Sequence, residues 1–118
     1  MLSHAFEQGV LVITVHDDPG AGGRASLLAR ISDLIQAFRP ASVVIVLDEP
    51  AARASIAGVI LRVQRLCSRL GLLMSVATHN APARHRLEAA ADESGTSLVI
   101  HARIDAAIAG AAALSMAA

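Results

Sequence analysis

Four short apolar runs, each separated from the next by a stretch of helical periodicity, constrain the fold of this chain most strongly. They occupy residues 9–15, 42–47, 72–77 and 97–100, and the first two read GVLVITV and SVVIVL. Near-continuous apolar runs of this length are typical of strands covered on both faces. Alternation of such strands with helices predicts parallel pairing through right-handed crossovers. We therefore expect an α/β fold, with a small sheet of about four to five mostly parallel strands and about four helices.

Between the runs, apolar residues recur every three or four positions, as they do on one face of an amphipathic helix. This spacing predicts helices over residues 24–38, 55–70, 83–93 and 103–112. Pro40, Gly71 and Gly95 stand just beyond the first three and mark their ends. We expect residues 4–7 to form a short strand before a turn at Gln8 and Gly9. We also expect loops over 16–23 and 48–54, and fraying of the terminal SMAA.

The composition suits one domain over residues 1–118, with its core between about 9 and 110. Hydrophobic residues make up 54% of the chain, so a sizeable core is expected, and it must be aliphatic because Phe6 and Phe38 are the only aromatic residues. The longest apolar stretches fall well short of the ~18 residues of a membrane span. Residues 1–8 lack a signal-peptide pattern. These features predict a cytoplasmic protein that does not bind membranes.

Ten acidic residues balance ten basic residues, giving a formal net charge of zero. Nucleic-acid-binding domains usually carry a basic excess, so we expect no nucleic-acid partner. A surface without net charge favours association, so the sequence is compatible with a homodimer. The single cysteine, Cys67, excludes a disulfide framework or a thiolate metal cluster within the chain. Its place in an apolar helical stripe predicts a buried thiol.

A glycine-rich segment, residues 20–26, follows the first run and opens a helix, where phosphate-binding loops usually lie. It lacks the G-x-x-x-x-G-K-[ST] pattern, and the chain has no lysine to reach a phosphate. A small nucleotide- or phosphate-dependent enzyme is therefore an alternative hypothesis, beside the simpler interpretation of this segment as a turn.

Acidic and hydroxyl residues follow the apolar runs. Asp17 and Asp18 come after the first run, Asp48 and Glu49 after the second, and Thr78 after the third. The carboxyl ends of parallel strands meet at one edge, so these residues are expected to converge as in a phospho-accepting receiver domain. A receiver needs a further strand and helix before its acceptor and a late lysine, which this chain lacks. An acceptor at Asp48 is therefore a minor alternative to solvated loop acids.

The five histidines lack the spacing of a zinc site, and no Ser–His–Asp or paired-carboxylate arrangement stands out. They are His4, His16, His79, His85 and His101. We therefore expect no catalytic residue, no metal ion and no cofactor. The sequence favours a binding module over an enzyme.

The order of elements and the run ASIAGVILRVQRLCSRLG resemble the STAS domain, the fold of bacterial anti-sigma-factor antagonists. The resemblance extends from about residue 9 to residue 108. In that family a D-S-[ST]-G-L signature opens the helix after a strand, and its second hydroxyl residue accepts a phosphate. The resemblance implies partner switching in bacterial transcription regulation. The unmodified antagonist binds an anti-sigma factor, often a serine protein kinase, and phosphorylation abolishes the complex.

Two alignments with the signature remain open. Anchoring the helix on residues 58–61 and on Gly71 puts Ser55 at the acceptor position, with Arg53 and Ala54 in place of the preceding signature residues. This alignment needs no gap in the helix. Aligning Gly58 with the signature glycine instead puts Ala57 at the acceptor position, where no phosphorylation is feasible. The second alignment implies a non-phosphorylatable sensor or adaptor domain.

The resemblance thus implies a partner surface around the start of this helix. Its predicted members are Asp48, Arg53, Ala54, Ser55, Ile56, Gly58 and Arg62. The expected partner is an anti-sigma factor or a serine protein kinase. Judged from the residues alone, Ser55 is a helix N-cap contributing ~1 kcal/mol. Likewise Arg62, Arg65 and Arg69 share one helical side and form either a solvated face or a docking stripe for an acidic partner.

Overall fold

The computed structural model describes residues 2–52 and 56–117. The elements in chain order are β1 Leu2–Glu7, β2 Val10–Val15, α1 Gly20–Phe38, β3 Ser42–Leu47, α2 Glu49–Ala52, α3 Ala57–Arg69, β4 Leu73–Ala77, α4 Ala81–Ser94, β5 Val99–His101 and α5 Ile104–Ala117. No helix within these ranges combines the length and apolar character that crossing a membrane requires.

The five strands form one sheet in the order β1-β2-β3-β4-β5. Strands β2 to β5 are parallel, whereas β1 is antiparallel to β2. The predicted α/β class and mostly parallel sheet are therefore confirmed. The turn between β1 and β2 lies where it was expected. Gln8 and Gly9 both have positive φ angles, of 53° and 78°, as a type I′ hairpin turn requires.

The two faces of the sheet are covered unequally. One face packs against α1, α3 and α4 in an aliphatic core, and the other packs against α5. Strand β3 shows the division, because Val43 and Ile45 lie in the first cluster while Val44 and Val46 lie in the second. Both sets are at most 2% exposed. Because helices cover both faces of β3, its sequence does not alternate between apolar and polar residues.

Three elements differ from their predicted bounds. Helix α1 begins four residues early, at Gly20, since the Asp18 carboxylate accepts the Gly20 backbone N–H at 2.8 Å and starts the first turn. The predicted loop over 48–54 contains helix α2, whose last residue, Ala52, donates its N–H to the Asp48 carbonyl at 2.7 Å. The terminal segment predicted to fray is helical through Ala117, in keeping with the high helix propensity of alanine.

Helix α3 confirms most of its predicted stripe. Its buried side chains include Val59, Ile60, Val63 and Cys67, and Gly71, with a φ of +74°, follows its end. The N-cap is Ile56 and not Ser55, so the predicted capping role of Ser55 is wrong by one residue. Arg53, Ala54 and Ser55 lie outside the described residues.

Apart from these larger differences, the element boundaries differ from the predicted ones by at most two residues. Strand β5 is Val99–His101 where residues 97–100 were predicted, and β4 begins one residue late. Helix α4 begins two residues early because the Asn80 side chain accepts the Ala83 N–H at 2.8 Å and caps it. Helix ends depend on such capping bonds, which a periodicity pattern does not contain.

The reactivity of the Cys67 thiol tests how tightly the core is packed. The residue is fully buried, and desolvation raises the pKa of its thiol from an ordinary 9.0 to about 11. Because the thiolate is the reactive form, we expect very slow reaction with a disulfide reagent in the native state at neutral pH and fast reaction after denaturation. The raised pKa also means that the thiol contributes stability below pH 9, which is lost as the pH rises through 11. Rapid stoichiometric labelling of folded protein would contradict this packing.

Candidate functional site

The parallel strands end at one edge of the sheet, which we call the carboxyl edge. His16 follows β2, Asp48 follows β3, Thr78 follows β4, and His101 closes β5. Backbone bonds tie these ends together, because Asp48 N–H donates to the Val15 carbonyl at 3.1 Å and Thr78 N–H donates to that of His101 at 3.0 Å. The predicted convergence of strand-end residues is therefore observed.

A chain of three side chains crosses this edge. The Ser3 hydroxyl lies 2.7 Å from His16 Nε2, and His16 Nδ1 lies 2.6 Å from Asp48 Oδ2. The chain links β1 to the ends of β2 and β3. Sequence reasoning missed it because the first strand was predicted to begin at residue 4, which left Ser3 outside the sheet. The hairpin register, in which Leu2 faces Val15, was the signal that could have found it.

The atom order of this chain is that of a nucleophilic triad. Catalysis by such a triad also needs oriented donors for the oxyanion in a site shielded from water. Here Ser3 is exposed, and the side chains of His16 and Asp48 are 40% and 44% exposed. We therefore interpret the Ser3–His16–Asp48 chain as a structural link that fastens β1 to the sheet.

The geometry does not support a receiver-like acceptor at Asp48. One carboxylate oxygen of Asp48 is bonded to His16. Thr78 is 2% exposed, and its hydroxyl accepts the Asn80 N–H at 3.2 Å. Within residues 2–52 and 56–117, no three His, Cys, Asp or Glu side chains come together as metal ligands. The ion that a receiver uses to neutralise its acidic cluster would therefore have no ligand set there.

The glycine-rich segment is the first part of α1 and not an open loop. The Gly20 N–H, which a phosphate would need, is taken by the Asp18 carboxylate. Asp17 and Asp18 also line the adjacent cavity of about 190 Å³, which Gly23 and Ser26 border. Arg30 lines the same cavity, but the two carboxylates outnumber its one guanidinium, so the lining does not favour a phosphate. The structure therefore disfavours the nucleotide-binding alternative.

Helix α4 holds α2 in place beside α3. The Arg86 guanidinium donates to the Ala52 carbonyl at 2.7 Å, and the Asn80 amide donates to the Glu49 carboxylate at 3.3 Å. Ala51 and Ala52 are buried beneath these contacts. Ile56 is only 2% exposed and belongs to the core. It was predicted to contact a partner, and its burial corrects that prediction, because a side chain inside the core offers no surface for docking.

The first turns of α3 are open to solvent. Gly58 is exposed, and a Cβ added to it would meet no atom within 4 Å. Arg62, one turn later, is exposed, as are Arg65 and Arg69 along the same side. Asp48 is half-buried at the neighbouring strand end. Gly58 and Arg62 thus lie on the exposed side of α3 near its start, while Asp48 lies at the end of β3 and is bonded to His16.

The cavities at the carboxyl edge are small. They measure about 50, 110 and 190 Å³, whereas sites for small molecules and cofactors usually enclose about 300–1,000 Å³. The surface at this edge is therefore better suited to contact with a protein than to enclosure of a metabolite.

The architecture combines an antiparallel edge strand, four parallel strands and helices on both faces of the sheet. Helix α3, which follows β3 and α2, has one exposed side. No family profile matches the sequence, and comparison with curated proteins finds no match. Among solved structures, the chain is similar to a serine-to-glutamate variant of RsbS from Moorella thermoacetica. The TM-score is 0.70 at 14% identity, with 98% of this chain and 97% of that chain covered. RsbS is a STAS anti-sigma-factor antagonist. The likeness confirms the STAS fold.

The Ser3–His16–Asp48 link can be tested by a double-mutant cycle. We expect His16→Ala to lower the free energy of unfolding by about 1 kcal/mol, because two exposed hydrogen bonds are lost. Asp48→Asn and Ser3→Ala should each show coupling to His16 in urea denaturation. His85→Ala, on the exposed side of α4, is the matched control and should change little. Zero coupling, or hydrolysis of p-nitrophenyl acetate that Ser3→Ala abolishes, would contradict the structural interpretation.

Proposed function

We propose that this chain is a non-catalytic regulatory domain that docks onto another protein and acts as an anti-sigma-factor antagonist. The observation that carries the proposal is the open start of α3 on a STAS fold. Gly58 and Arg62 lie exposed there, beside the acidic end of β3. The similarity in fold to an anti-sigma-factor antagonist supports the same role.

The shape of this region supports docking. Helix α2 is tied to α4 by the bond from the Arg86 guanidinium to the Ala52 carbonyl, so its position does not depend on a partner. A glycine in the first turn lets a partner's backbone come close. The exposed guanidinium groups of Arg62, Arg65 and Arg69 along α3 would orient an acidic partner more than they add affinity. The proposed partner is an anti-sigma factor or a serine protein kinase in the cytoplasm.

We further propose that Ser55 is the switch. It directly precedes Ile56, the N-cap of α3. Transfer of the γ-phosphoryl group from ATP to its hydroxyl oxygen, with loss of the hydroxyl proton, would release ADP and add up to about two negative charges. The positive end of the α3 dipole tolerates an anion at this position, so the domain itself stays folded. A partner surface matched to a neutral hydroxyl would lose affinity through desolvation and repulsion.

The docking surface predicts opposite effects of one substitution on stability and on binding. Gly58→Gln should raise the free energy of unfolding by a few tenths to ~1 kcal/mol, because glycine is a poor helix former and its site has open space. The same change should weaken binding to the cognate anti-sigma kinase at least tenfold in calorimetry. Ser68→Gln, exposed near the other end of α3, is the matched control. If both variants bind the partner equally well, the partner contacts another surface and the proposed docking site is wrong.

The switch predicts one phosphate on Ser55. After incubation with the cognate kinase and ATP, intact-mass and peptide mass spectrometry should show a single addition, which Ser55→Ala abolishes. Ser55→Ala should still bind the partner, and Ser55→Glu should not. If an active kinase adds no phosphate at Ser55 while binding persists, the domain is a non-switching sensor or adaptor and this part of the proposal is wrong.

A further inference from the structure

The outer edge of β1 lies open in the described structure. Strand β1 is the first in the sheet order, and β2 is its only paired neighbour among the described strands. Five of its six residues are exposed. Natural edge strands avoid association by being very short or by carrying lysine, proline or a bulge. The opposite edge, β5, has only three residues. Strand β1 uses none of these devices, because its register with β2 is unbroken and its sequence is LSHAFE.

The chain's two phenylalanines lie beside this edge. Phe6 of β1 stacks on Phe38, the last residue of α1, with ring centroids 5.4 Å apart, and His4 meets Phe38 edge-on at 5.3 Å. Phe6 is 44% exposed and Phe38 38%. Both phenylalanine rings of this aliphatic chain are thus partly exposed next to the open edge of β1. Exposed apolar side chains that lie together often contribute to an interaction site.

The hairpin geometry decides which backbone groups face outward. Glu7 and Val10 close the two-residue turn, and in such a hairpin the closing pair exchanges backbone hydrogen bonds. The odd-numbered residues of β1 therefore direct their backbone groups towards β2. By alternation, Leu2, His4 and Phe6 direct theirs to the open edge. The same three side chains lie on the face of the sheet that α1 covers.

We propose that β1 pairs antiparallel with β1 of a second copy of this chain, with His4 on the two-fold axis. A two-fold axis perpendicular to the sheet keeps α1 of both copies on the same face. Leu2 of one copy then lies opposite Phe6 of the other, and each facing pair of even-numbered residues can exchange backbone hydrogen bonds. The two aromatic clusters merge across the axis, and the two sheets become one continuous sheet.

Charge favours a second copy as the occupant. The net charge of the chain is zero, so two copies do not repel each other as whole molecules. Glu7, the acidic residue of β1, lies at the end of the strand, and in this register the two copies of Glu7 are about 20 Å apart at 3.4 Å per residue. Each apolar cluster would contact the same cluster of the other copy, and such self-complementarity is the condition for an isologous dimer. One edge strand and a small cluster form a limited interface, so the affinity is in the micromolar range or weaker.

This dimer leaves the proposed partner surface free. Strand β1 is the lateral boundary of the sheet, and β2 separates it from β3, whose end leads to α2. The inference therefore does not depend on the proposed function, and either one can fail alone.

Engineered cysteines test the register. Facing hydrogen-bonded residues of an antiparallel pair have Cα atoms about 5.5 Å apart, within the range for a disulfide. His4→Cys should form a disulfide-linked dimer in high yield under mild oxidation, since the natural Cys67 is fully buried. Glu7→Cys, on the same strand but away from the axis, is the matched control and should cross-link at least fivefold less. Equal or reversed yields would overturn the proposed register.

Analytical ultracentrifugation from low micromolar to near-millimolar concentration tests the dimer itself. The unaltered chain should dimerise with increasing concentration. His4→Pro removes an outward N–H and no hairpin bond, and Phe6→Lys removes the apolar contact and adds an edge charge, so both should remain monomeric with unchanged circular dichroism. Val99→Lys, exposed on the β5 edge, should dimerise like the unaltered chain. A monomer at every concentration, or a dimer lost only in Val99→Lys, would overturn the proposal.

Discussion

The structure depends on the parallel pairing of β2, β3 and β4, whose side chains are buried on both faces. Ile45 and Val76 face each other in adjacent strands with no exposure to solvent, while Val44 is equally buried on the opposite face. A register shift of one residue would exchange these faces and push side chains sized for one helical layer into the other. This pairing therefore fixes where each strand ends, and with it the positions of the residues at the carboxyl edge.

The ends of these strands also determine the surface of the carboxyl edge. The strand ends bring His16, Asp48 and Thr78 to one line, and each is engaged in a hydrogen bond within the domain. These hydrogen bonds stabilise the carboxyl edge. At the start of α3, by contrast, Gly58 and Arg62 are exposed, and a Cβ added to Gly58 would meet open space.

Much of the fold could be predicted from the sequence, because buried side chains recur with the period of the helix or strand that carries them. Strand β3 has its predicted bounds, Ser42–Leu47, and the buried face of α3 matches the apolar spacing from Val59 to Cys67. The start of α1 depends on one carboxylate capping Gly20, and α2 depends on four residues between a strand and a helix, so neither has a period to detect. The Ser3–His16–Asp48 link joins positions that lie 13 and 32 residues apart, and only the assembled sheet brings them together. The burial of Ile56 was likewise hidden, since a docking motif and a core position can share one apolar residue.

The alanine residues of α5 make the two helical layers that cover the sheet unequal in packing. Ala107, Ala111 and Ala112 are buried contacts of α5 with the strands, and Ile108 packs beside them. The opposite layer buries larger side chains, among them Ile31 and Ile35 of α1. An alanine holds a helix off a sheet by less than an isoleucine or leucine does, so the backbone of α5 lies closer to the strands than the backbones of α1 and α3 do.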